Sequence, residues 1–469
     1  MTVTTPSCKP FRVIIAGGSI CGLSLALVLE KAGIDYVLLE KRDIAPQLGA
    51  SIGFSTHGVR IMEQMGIWDD IRAIINPLQD YGHYEADGTL FYTSQILPEI
   101  RKVTNRPQLL MSRQTWLQVV HSHIKDQRKI HSRTGVASYT QNDEGIVVTA
   151  DNGETFEGSI LVGADGIHSI TRSLVADEVE KVDGDAKAAK QMKEGFAAHY
   201  HCIFATSKNE YKNQPGKPIM PEANVADFSG KDHCGLVAAG MPGQLFWFFY
   251  LKSADITNTP FIPKYREEDA EEAMRVYGGA HVGPECTFKD LWDARVSSNM
   301  KALEEGVMKT KWSRGRVVLM GDSVHKVNTP PISPDELQRT ETAKCTINTG
   351  LGGQLALEGI CNLTNGLVEL LKTSPSPSSG EITQVFTNYE TKQRPRAEWA
   401  MSISGHQTRM ESQANWIYWA FGRLILPRLP DWLMAVGTIK SIYVGSPCME
   451  FLLRPADILP PQKTTVSAS

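Results

Sequence analysis

FRVIIAGGSICGLSLALVLEKAGIDYVLLE, residues 11–40, contains the clearest structural pattern of the chain. Residues 11–16 are an apolar run rich in β-branched side chains, a turn of small residues follows, and residues 20–32 have the composition of a helix. Residues 36–39 form a second apolar run, which ends at Glu40. Strand, helix and strand in this spacing predict a βαβ unit with a parallel sheet and a right-handed crossover.

The turn between this strand and helix fits the pattern G-x-G-x-x-G, with Gly17 and Gly22 at its ends and Ser19 in place of the middle glycine. Gly17 permits the tight turn, Gly22 allows close helix–strand packing, and Ser19 is small enough for a pyrophosphate to approach the helix N-terminus. Glu40 follows Gly22 by 18 residues, where an acid accepts hydrogen bonds from an adenosine ribose. The pattern predicts a dinucleotide site; the alternative is an ordinary glycine turn.

Two later apolar runs end in glycine and aspartate. Residues 160–162 lead into Gly163-Ala164-Asp165-Gly166, and residues 317–320 lead into Gly321-Asp322. Gly350, Gly352 and Gly353 then open a helical stretch. An acid at a strand end can bind ribityl or ribose hydroxyls, and a helix N-terminus can approach a pyrophosphate or a flavin pyrimidine. Alone, Gly-Asp is a common turn, so the interpretation depends on the N-terminal unit.

Composition restricts the classes of function. The chain has 469 residues, 42% apolar and 21% charged, which is enough for two or three globular domains. A net charge of −4 argues against nucleic acid as the main partner. The eight cysteines form no C-x-x-C pair, so neither a metal site nor a disulfide framework is expected. Residues 1–10 lack the apolar core of a secretion signal, and an intracellular protein is expected.

The order of three motifs, at residues 17–22, 163–166 and 321–325, resembles that of group A flavoprotein monooxygenases of the para-hydroxybenzoate-hydroxylase type. The resemblance covers roughly residues 11–370. The stretch APQLGASIG, residues 45–53, is similar to a narrower group, the fungal FAD-dependent monooxygenases that epoxidise prenyl side chains in meroterpenoid and indole-diterpene biosynthesis.

This resemblance implies a set of FAD contacts. Glu40 would bind the adenosine ribose, and Arg113 the phosphate or ribityl region. Asp322 would bind the ribityl chain, and Asp165 belongs to a motif implicated in both FAD and NAD(P)H contacts. Gly53 and Gly353 would lie near the isoalloxazine ring. Considered alone, Arg113 would be a solvated helix arginine.

The resemblance also implies the domain organisation. The expected fold is α/β: a Rossmann-like, glutathione-reductase-type FAD domain, a β-sheet substrate domain, and a helical, apolar C-terminal region. The expected ranges are 1–186 for the FAD-binding unit, 187–300 for the mainly β substrate domain, 301–410 for the return to the FAD domain, and 411–469 for the C-terminal region. The aromatic run at residues 246–250 is assigned to the substrate sheet, where most such residues are plain sheet core.

The activity implied is that of a monooxygenase using FAD, NAD(P)H and O₂, which epoxidises a prenyl side chain of a meroterpenoid. Aromatic hydroxylation by the same flavin cycle and a non-catalytic flavin-binding protein are the alternatives. The chain has no second convincing G-x-G-x-x-G, so NAD(P)H is expected to bind transiently. The sequence identifies no catalytic acid or base, and His325 is expected to be a structural loop histidine.

Two segments depart from the expected pattern. Residues 328–345, between His325 and Gly350, lengthen a connection that relatives keep short, and we expect them to be a retained intron or a gene-model error; the alternative is a real surface loop. Ser55-Thr56-His57-Gly58 stands where relatives often have Pro-Asn-Gly.

The C-terminal region carries two clusters of Trp, Leu, Ile and Met, at residues 416–426 and 432–439. Prolines and charges interrupt both before they reach the 18–20 residues or so of a spanning helix. Attachment to a membrane surface is therefore expected, since Trp favours the headgroup zone. The alternative is a helical cap packed on the FAD domain.

Overall fold

The computed structural model describes residues 10–46, 51–230, 233–283, 285–326, 351–411 and 415–452. The segment 328–345, expected to be an insertion, lies outside the described residues. The strands are β1 (Arg12–Ala16), β2 (Asp35–Glu40), β3 (Ser51–Phe54), β4 (Tyr81–Glu85), β5 (Leu90–Ser94), β6 (Leu109–Ser112), β7 (Ile130–Ser132), β8 (Val136–Gln141), β9 (Ile146–Ala150), β10 (Thr155–Gly158), β11 (Ile160–Gly163), β12 (Ala197–Lys208), β13 (Val225–Ser229), β14 (His233–Met241), β15 (Gln244–Asn258), β16 (Arg295–Val307), β17 (Ser313–Arg314), β18 (Val317–Leu319) and β19 (His325–Lys326).

The α-helices lie between these strands and, at the end, after them. They are α1 (Ile20–Ala32), α2 (Thr56–Met65), α3 (Trp68–Arg72), α4 (Ile96–Thr104), α5 (Arg113–His123), α6 (Ile170–Glu178), α7 (Ala186–Glu194), α8 (Glu267–Tyr277), α9 (Phe288–Asp293), α10 (Leu351–Thr373), α11 (Ser379–Glu411), α12 (Trp416–Ala420) and α13 (Asp431–Ile442).

The first sheet has the strand order β17-β18-β11-β1-β2-β7 and confirms the predicted βαβ unit. β1 runs parallel to both β2 and β11, and β11 runs parallel to β18. Val13, Ile14 and Ile15 of β1 are fully buried, as expected for a strand covered on both faces. Because these strands are parallel, their carboxyl ends meet at one edge of the sheet. This edge collects the motifs that follow β1, β2, β11 and β18.

The second sheet has the order β19-β16-β12-β15-β14-β13-β4-β5. It therefore takes β4 and β5 from within the range 1–186, because β4 pairs in parallel with β13. On one face, Trp247 and Phe249 pack against Phe288 of α9, with ring centroids 5.3 and 4.1 Å apart. On the other face, Leu236 and Phe246 join the core of the first sheet. The second face is thus the one turned towards the motifs.

Smaller elements connect these layers. β3 and β6 form an antiparallel pair beside the first sheet. β9 and β10 form an antiparallel hairpin around residues 151–153. At the C-terminal end, α13 packs on α4 through a cluster of Ile100, Ala435, Ile439 and Tyr443. Among the described helices, none combines the length and the hydropathy that crossing a bilayer requires.

Candidate functional site

The turn after β1 accepts only glycine at its two ends. Gly17 has φ +102°, a region that L side chains rarely adopt, and its N–H donates to the Leu39 carbonyl at 2.8 Å. A Cβ on Gly17 would lie 2.6 Å from the carbonyl oxygen of Ala164. A Cβ on Gly22 would lie 1.7 Å from the Gly17 carbonyl oxygen. The helix, the turn and the neighbouring strand β11 therefore pack at backbone distance.

The N-terminus of α1 meets Glu40 at the end of β2. The Gly18 N–H donates to Glu40 Oε2 at 2.6 Å, and the Arg42 N–H donates to Glu40 Oε1 at 2.8 Å. Ser19 occupies the N-cap position of α1 without making a side-chain capping bond. The helix thus presents its N-terminal N–H groups and the positive end of its dipole beside a carboxylate. This is the arrangement that a pyrophosphate next to a ribose requires.

Arg113 is placed over this turn by the strand β6, which runs directly into α5. Its Nη2 donates to Ser19 Oγ at 2.5 Å. Burial lowers the pKa of Arg113, and the negative charges of Asp322 and Glu40 oppose that shift. Its Nε has no hydrogen-bond partner in the described part of the chain. A buried cation with an unsatisfied donor is suited to an anionic ligand. Arg113 is therefore not the solvated helix arginine that its sequence context alone suggests.

Asp322 follows β18 on a single short turn. Gly321 has φ +64°, and a Cβ there would lie 3.1 Å from Cys21 Sγ, so the turn packs against α1. Ser323 fixes the turn to β11, because its Oγ donates to the Gly163 carbonyl at 2.7 Å. The Asp322 side chain itself is 46% exposed, and Lys326 Nζ lies 3.9 Å away. The carboxylate is therefore held in place by its backbone while its oxygens stay accessible.

Asp165 follows the neighbouring strand β11, and its carboxylate is hydrogen-bonded within the protein. Its carboxylate accepts hydrogen bonds from Ser169 Oγ at 2.5 Å, from the Thr171 N–H at 2.9 Å and from Thr171 Oγ1 at 3.0 Å. These bonds fix the loop that leads into α6. The Arg172 guanidinium then donates to the Ser323 carbonyl at 2.9 Å and so links the two strand ends. Burial lowers the pKa of Arg172 to about 10.

Gly53 and Gly353 belong to a second part of the same edge. Gly53 of β3 pairs with Leu110 of β6, and Leu110 lies a few residues before Arg113 in the sequence. A Cβ on Gly353 would lie 2.6 Å from Ile52 Cδ1, so the beginning of α10 packs directly on β3. The Ser55 hydroxyl donates to Gln354 Oε1 next to this contact. The first turn of α10 and the strand containing Gly53 thus form one surface.

Eight of the nine predicted site residues form two connected groups around this edge. Gly17, Ser19, Gly22, Glu40, Arg113 and Asp322 surround the N-terminus of α1, and Gly353 joins Gly53 across β3. FAD fits this chain, because a pyrophosphate finds helix N–H groups and the unsatisfied Arg113 Nε, while sugar hydroxyls find the carboxylates of Glu40 and Asp322. The individual FAD contacts remain predictions. Within the described residues, no group of His, Cys, Asp or Glu is arranged to hold a metal ion.

Sequence reasoning missed a buried polar pair on the second sheet. His83 Nδ1 lies 2.9 Å from both carboxylate oxygens of Asp227. The two residues are 144 positions apart and meet only because β4 pairs with β13. A lone histidine in an aromatic stretch gives no signal of such a pair. Asp227 could have been recognised as the partner of His83 only once the pairing of β4 with β13 was known.

Comparisons with known proteins agree with the geometry. A family model described as "FAD binding domain" matches residues 11–204. The chain is 31% identical over 462 residues to the FAD-dependent monooxygenase janM of Penicillium janthinellum, covering 97% of this chain and 86% of that protein. It is also 31% identical to the FAD-dependent monooxygenase verC1 of Penicillium polonicum, covering 95% of this chain but 52% of verC1, so it spans about half of that protein.

The fold is also similar to that of solved structures. Klebsiella pneumoniae HpxO, crystallised with FAD and uric acid, superposes with a TM-score of 0.68 at 17% sequence identity. The match covers 92% of this chain and 96% of HpxO. At this identity the likeness concerns the fold, which agrees with the expected pair of an FAD domain and a sheet domain.

Proposed function

Because the chain belongs to the FAD-dependent monooxygenases, we propose that it epoxidises a prenyl side chain of a meroterpenoid-type substrate. In the balanced reaction, the alkene, O₂, NAD(P)H and a proton give the epoxide, water and NAD(P)⁺. One atom of O₂ enters the substrate and the other leaves as water. NAD(P)H supplies the two electrons, and its transient binding agrees with the lack of a second G-x-G-x-x-G in the sequence.

Bound FAD would supply the acceptance of electrons from NAD(P)H and the activation of O₂. The chain's own residues would bind and orient it. The α1 N-terminus and Arg113 would neutralise the pyrophosphate, and Glu40 and Asp322 would accept hydrogen bonds from sugar hydroxyls. Gly353, packed on Ile52, would allow the backbone of α10 to approach the ring system closely.

The observation that carries the substrate proposal is an apolar floor on the second sheet. Phe204 and Phe248 lie on interior strands and pack edge to face with 5.6 Å between ring centroids, and both are nevertheless partly exposed. They belong to the face that turns towards the first sheet. Leu236 lies beside Phe248 in register and is buried. Large apolar side chains that stay partly exposed on interior strands are suited to an apolar ligand such as a prenyl chain.

Turnover with a matched pair of substrates tests this proposal. The purified protein, loaded with FAD, is incubated with NADPH or NADH and either a farnesylated phenol or the same phenol without the chain. We expect only the farnesylated compound to gain one oxygen atom, with NAD(P)H consumed in equal amount. Oxygen gain by the bare phenol would favour aromatic hydroxylation instead. Bound flavin without any NAD(P)H oxidation would favour a non-catalytic flavin-binding protein.

We further propose that the C-terminal region attaches the protein to the surface of an intracellular membrane. The inner face of α13 is occupied by α4, yet Trp432, Leu433 and Val436 on its outer face are exposed. Arg428 and Lys440 are exposed beside them. Further exposed apolar side chains, in and after α12, are Trp416, Ile417, Trp419, Leu424 and Ile425. Exposed Trp and aliphatic side chains flanked by cations are typical of helices that lie in the headgroup zone of anionic lipid.

Co-sedimentation with vesicles tests the attachment. The double variant Trp432→Ser, Leu433→Ser should lose most binding to vesicles that contain phosphatidylserine, while its FAD content stays unchanged. Phe261→Ser is the matched control, since Phe261 is 78% exposed and lies outside this region. A parent protein that stays in the supernatant, or a double variant that sediments like the parent, would exclude attachment through α13.

A further inference from the structure

The His83–Asp227 pair is held more firmly than a buried histidine needs for packing alone. Asp227 is 2% exposed, and both of its carboxylate oxygens lie 2.9 Å from His83 Nδ1. The imidazole stacks on Tyr81 with centroids 4.4 Å apart and on Tyr92 with centroids 5.3 Å apart. A carboxylate therefore fixes one ring nitrogen, and two tyrosine rings fix the ring plane.

The other ring nitrogen is available. Nε2 of His83 has no hydrogen-bond partner in the described part of the chain, and it is not among the atoms that are shut off from solvent. Because Nδ1–H donates to Asp227, Nε2 of the neutral ring is a hydrogen-bond acceptor. Nε2 is also the ring nitrogen farther from the backbone. An oriented acceptor at the end of a buried side chain can receive a hydroxyl proton from a ligand.

Strand register connects this pair to the apolar floor. His83 is paired with Asp227, and Asp227 with Leu236. Leu236 is paired with Phe248, and Phe248 with Phe204. Residues paired in register lie on the same face of a sheet. One row across the second sheet therefore carries a polar pair at one end and the partly exposed aromatic floor at the other.

We propose that His83, oriented by Asp227, binds a phenolic hydroxyl of the substrate, whose apolar chain extends along the row to the partly exposed Phe248 and Phe204. A phenol is the hydroxyl best matched to this acceptor, because it is a stronger hydrogen-bond donor than an alcohol and Asp227 orients the ring so that Nε2 accepts. His83 is then a substrate-binding residue and Asp227 a positioning residue. The proposal rests on the proposed function, since it names the head group of the same prenylated substrate.

Binding of a farnesylated phenol and of its O-methyl ether tests the role without changing the protein. The ether lacks the donor hydrogen but keeps the chain. Each dissociation constant is read from the change in the visible absorbance of the bound flavin. We expect the wild-type protein to bind the phenol about tenfold or more tightly than the ether. Equal affinity for the two compounds would overturn the proposal.

Three variants then locate the discrimination. His83→Phe keeps a ring between the tyrosines and should bind phenol and ether equally, with KM for the phenol raised more than kcat is lowered. Asp227→Asn should retain part of the discrimination, because an amide still accepts from Nδ1–H. His201→Phe is the control: His201 stacks on Tyr265 at 4.9 Å on the opposite face of the same sheet, so discrimination should persist. Persistent discrimination in His83→Phe would overturn the proposal.

These readouts separate the two proposals. A wild-type protein that discriminates phenol from ether but forms no epoxide would refute the epoxidation and leave the role of His83 standing. Epoxide formation together with undiminished discrimination in His83→Phe would refute the role of His83 and leave the epoxidation standing.

Discussion

Asp165 and Asp322 follow neighbouring parallel strands, β11 and β18, and their carboxylates have opposite surroundings. The Asp165 carboxylate accepts three hydrogen bonds from Ser169 and Thr171. The Asp322 carboxylate is nearly half exposed and has Lys326 as its near cation, 3.9 Å away. One acid holds the fold together, and the other has its oxygens available to a ligand.

The residues that follow each strand explain the difference. After β11, Ser169 and Thr171 lie at the start of α6, so Asp165 has hydroxyl and N–H donors within six residues. After β18, the chain makes one short turn at Gly321–Ser323. The hydroxyl in this turn belongs to Ser323 and donates to the Gly163 carbonyl. An acid that follows a parallel strand thus becomes hydrogen-bonded within the fold or stays accessible, according to the donors nearby in the chain.

Gly22→Leu should cause the largest loss of folded, FAD-containing protein, because it disrupts both strand ends together. The new Cβ would lie 1.7 Å from the Gly17 carbonyl, and Gly17 itself packs on Ala164 beside Asp165. We expect no FAD-containing folded protein, measured by flavin absorbance and by circular dichroism. Gly279→Leu is the matched control, since a Cβ on Gly279 meets nothing within 4 Å. FAD retention in Gly22→Leu at the level of the control would refute the predicted site.

Asp165→Ala should act on stability. Losing three hydrogen bonds to a partly buried carboxylate should cost about 3–4 kcal/mol of the free energy of unfolding. FAD affinity of the protein that remains folded should change little. Asp185→Ala provides the comparison, since Asp185 caps α7 by one exposed hydrogen bond and should cost about 1 kcal/mol. A large loss of FAD affinity with unchanged stability would reverse the assignment of Asp165.

Lowering the pH should destabilise the fold through His325, a buried residue three positions after the exposed Asp322. Burial lowers the pKa of His325 to about 4, against an ordinary value of 6.5, and Asp322 acts in the opposite direction. The unfolded chain therefore binds more protons between these values, so the contribution of neutral His325 is complete above pH 6.5 and is lost as the pH falls towards 4. The loss is on the order of 3 kcal/mol.

The difference between two proteins isolates this contribution, because other buried histidines also titrate. The free energy of unfolding is measured against pH for the parent and for His325→Phe, which keeps a ring against Trp312. The parent should lose more stability than the variant between pH 6.5 and 4. Parallel curves would mean that folding leaves the pKa of His325 near its ordinary value.

Local sequence patterns predicted the βαβ unit and the edge of the sheet where the motifs gather. Gly17, Gly22 and Glu40 could be assigned because the strand, turn and helix that carry them are consecutive in the sequence, and because only glycine permits the backbone geometry of the turn. The surroundings of Arg113 could not be predicted, because Ser19, to which it donates, is 94 positions away and Asp322, whose charge acts on it, is farther still.

The second sheet was less predictable for the same physical reason. The aromatic run at 246–250 indicated a strand but not its neighbours, so the parallel pairing of β4 with β13 was missed. The His83–Asp227 pair was missed for the same reason, because its two residues are 144 positions apart in the sequence. The internal use of Asp165 was also not apparent, although Ser169 and Thr171 lie close enough in the sequence to have suggested a capped helix.

The FAD dissociation constant of Asp322→Ala, measured with that of Asp165→Ala on protein freed of flavin, tests the central claim most directly. Asp322→Ala removes an accessible carboxylate that bonds nothing tightly within the described structure, so the free energy of unfolding of the flavin-free protein should change by less than about 0.5 kcal/mol. Its FAD affinity should fall roughly tenfold to a hundredfold, the equivalent of about 1.5–3 kcal/mol for charge-assisted hydrogen bonds to sugar hydroxyls. An Asp322→Ala protein that binds FAD as tightly as the parent would contradict the claim that this strand end holds the cofactor.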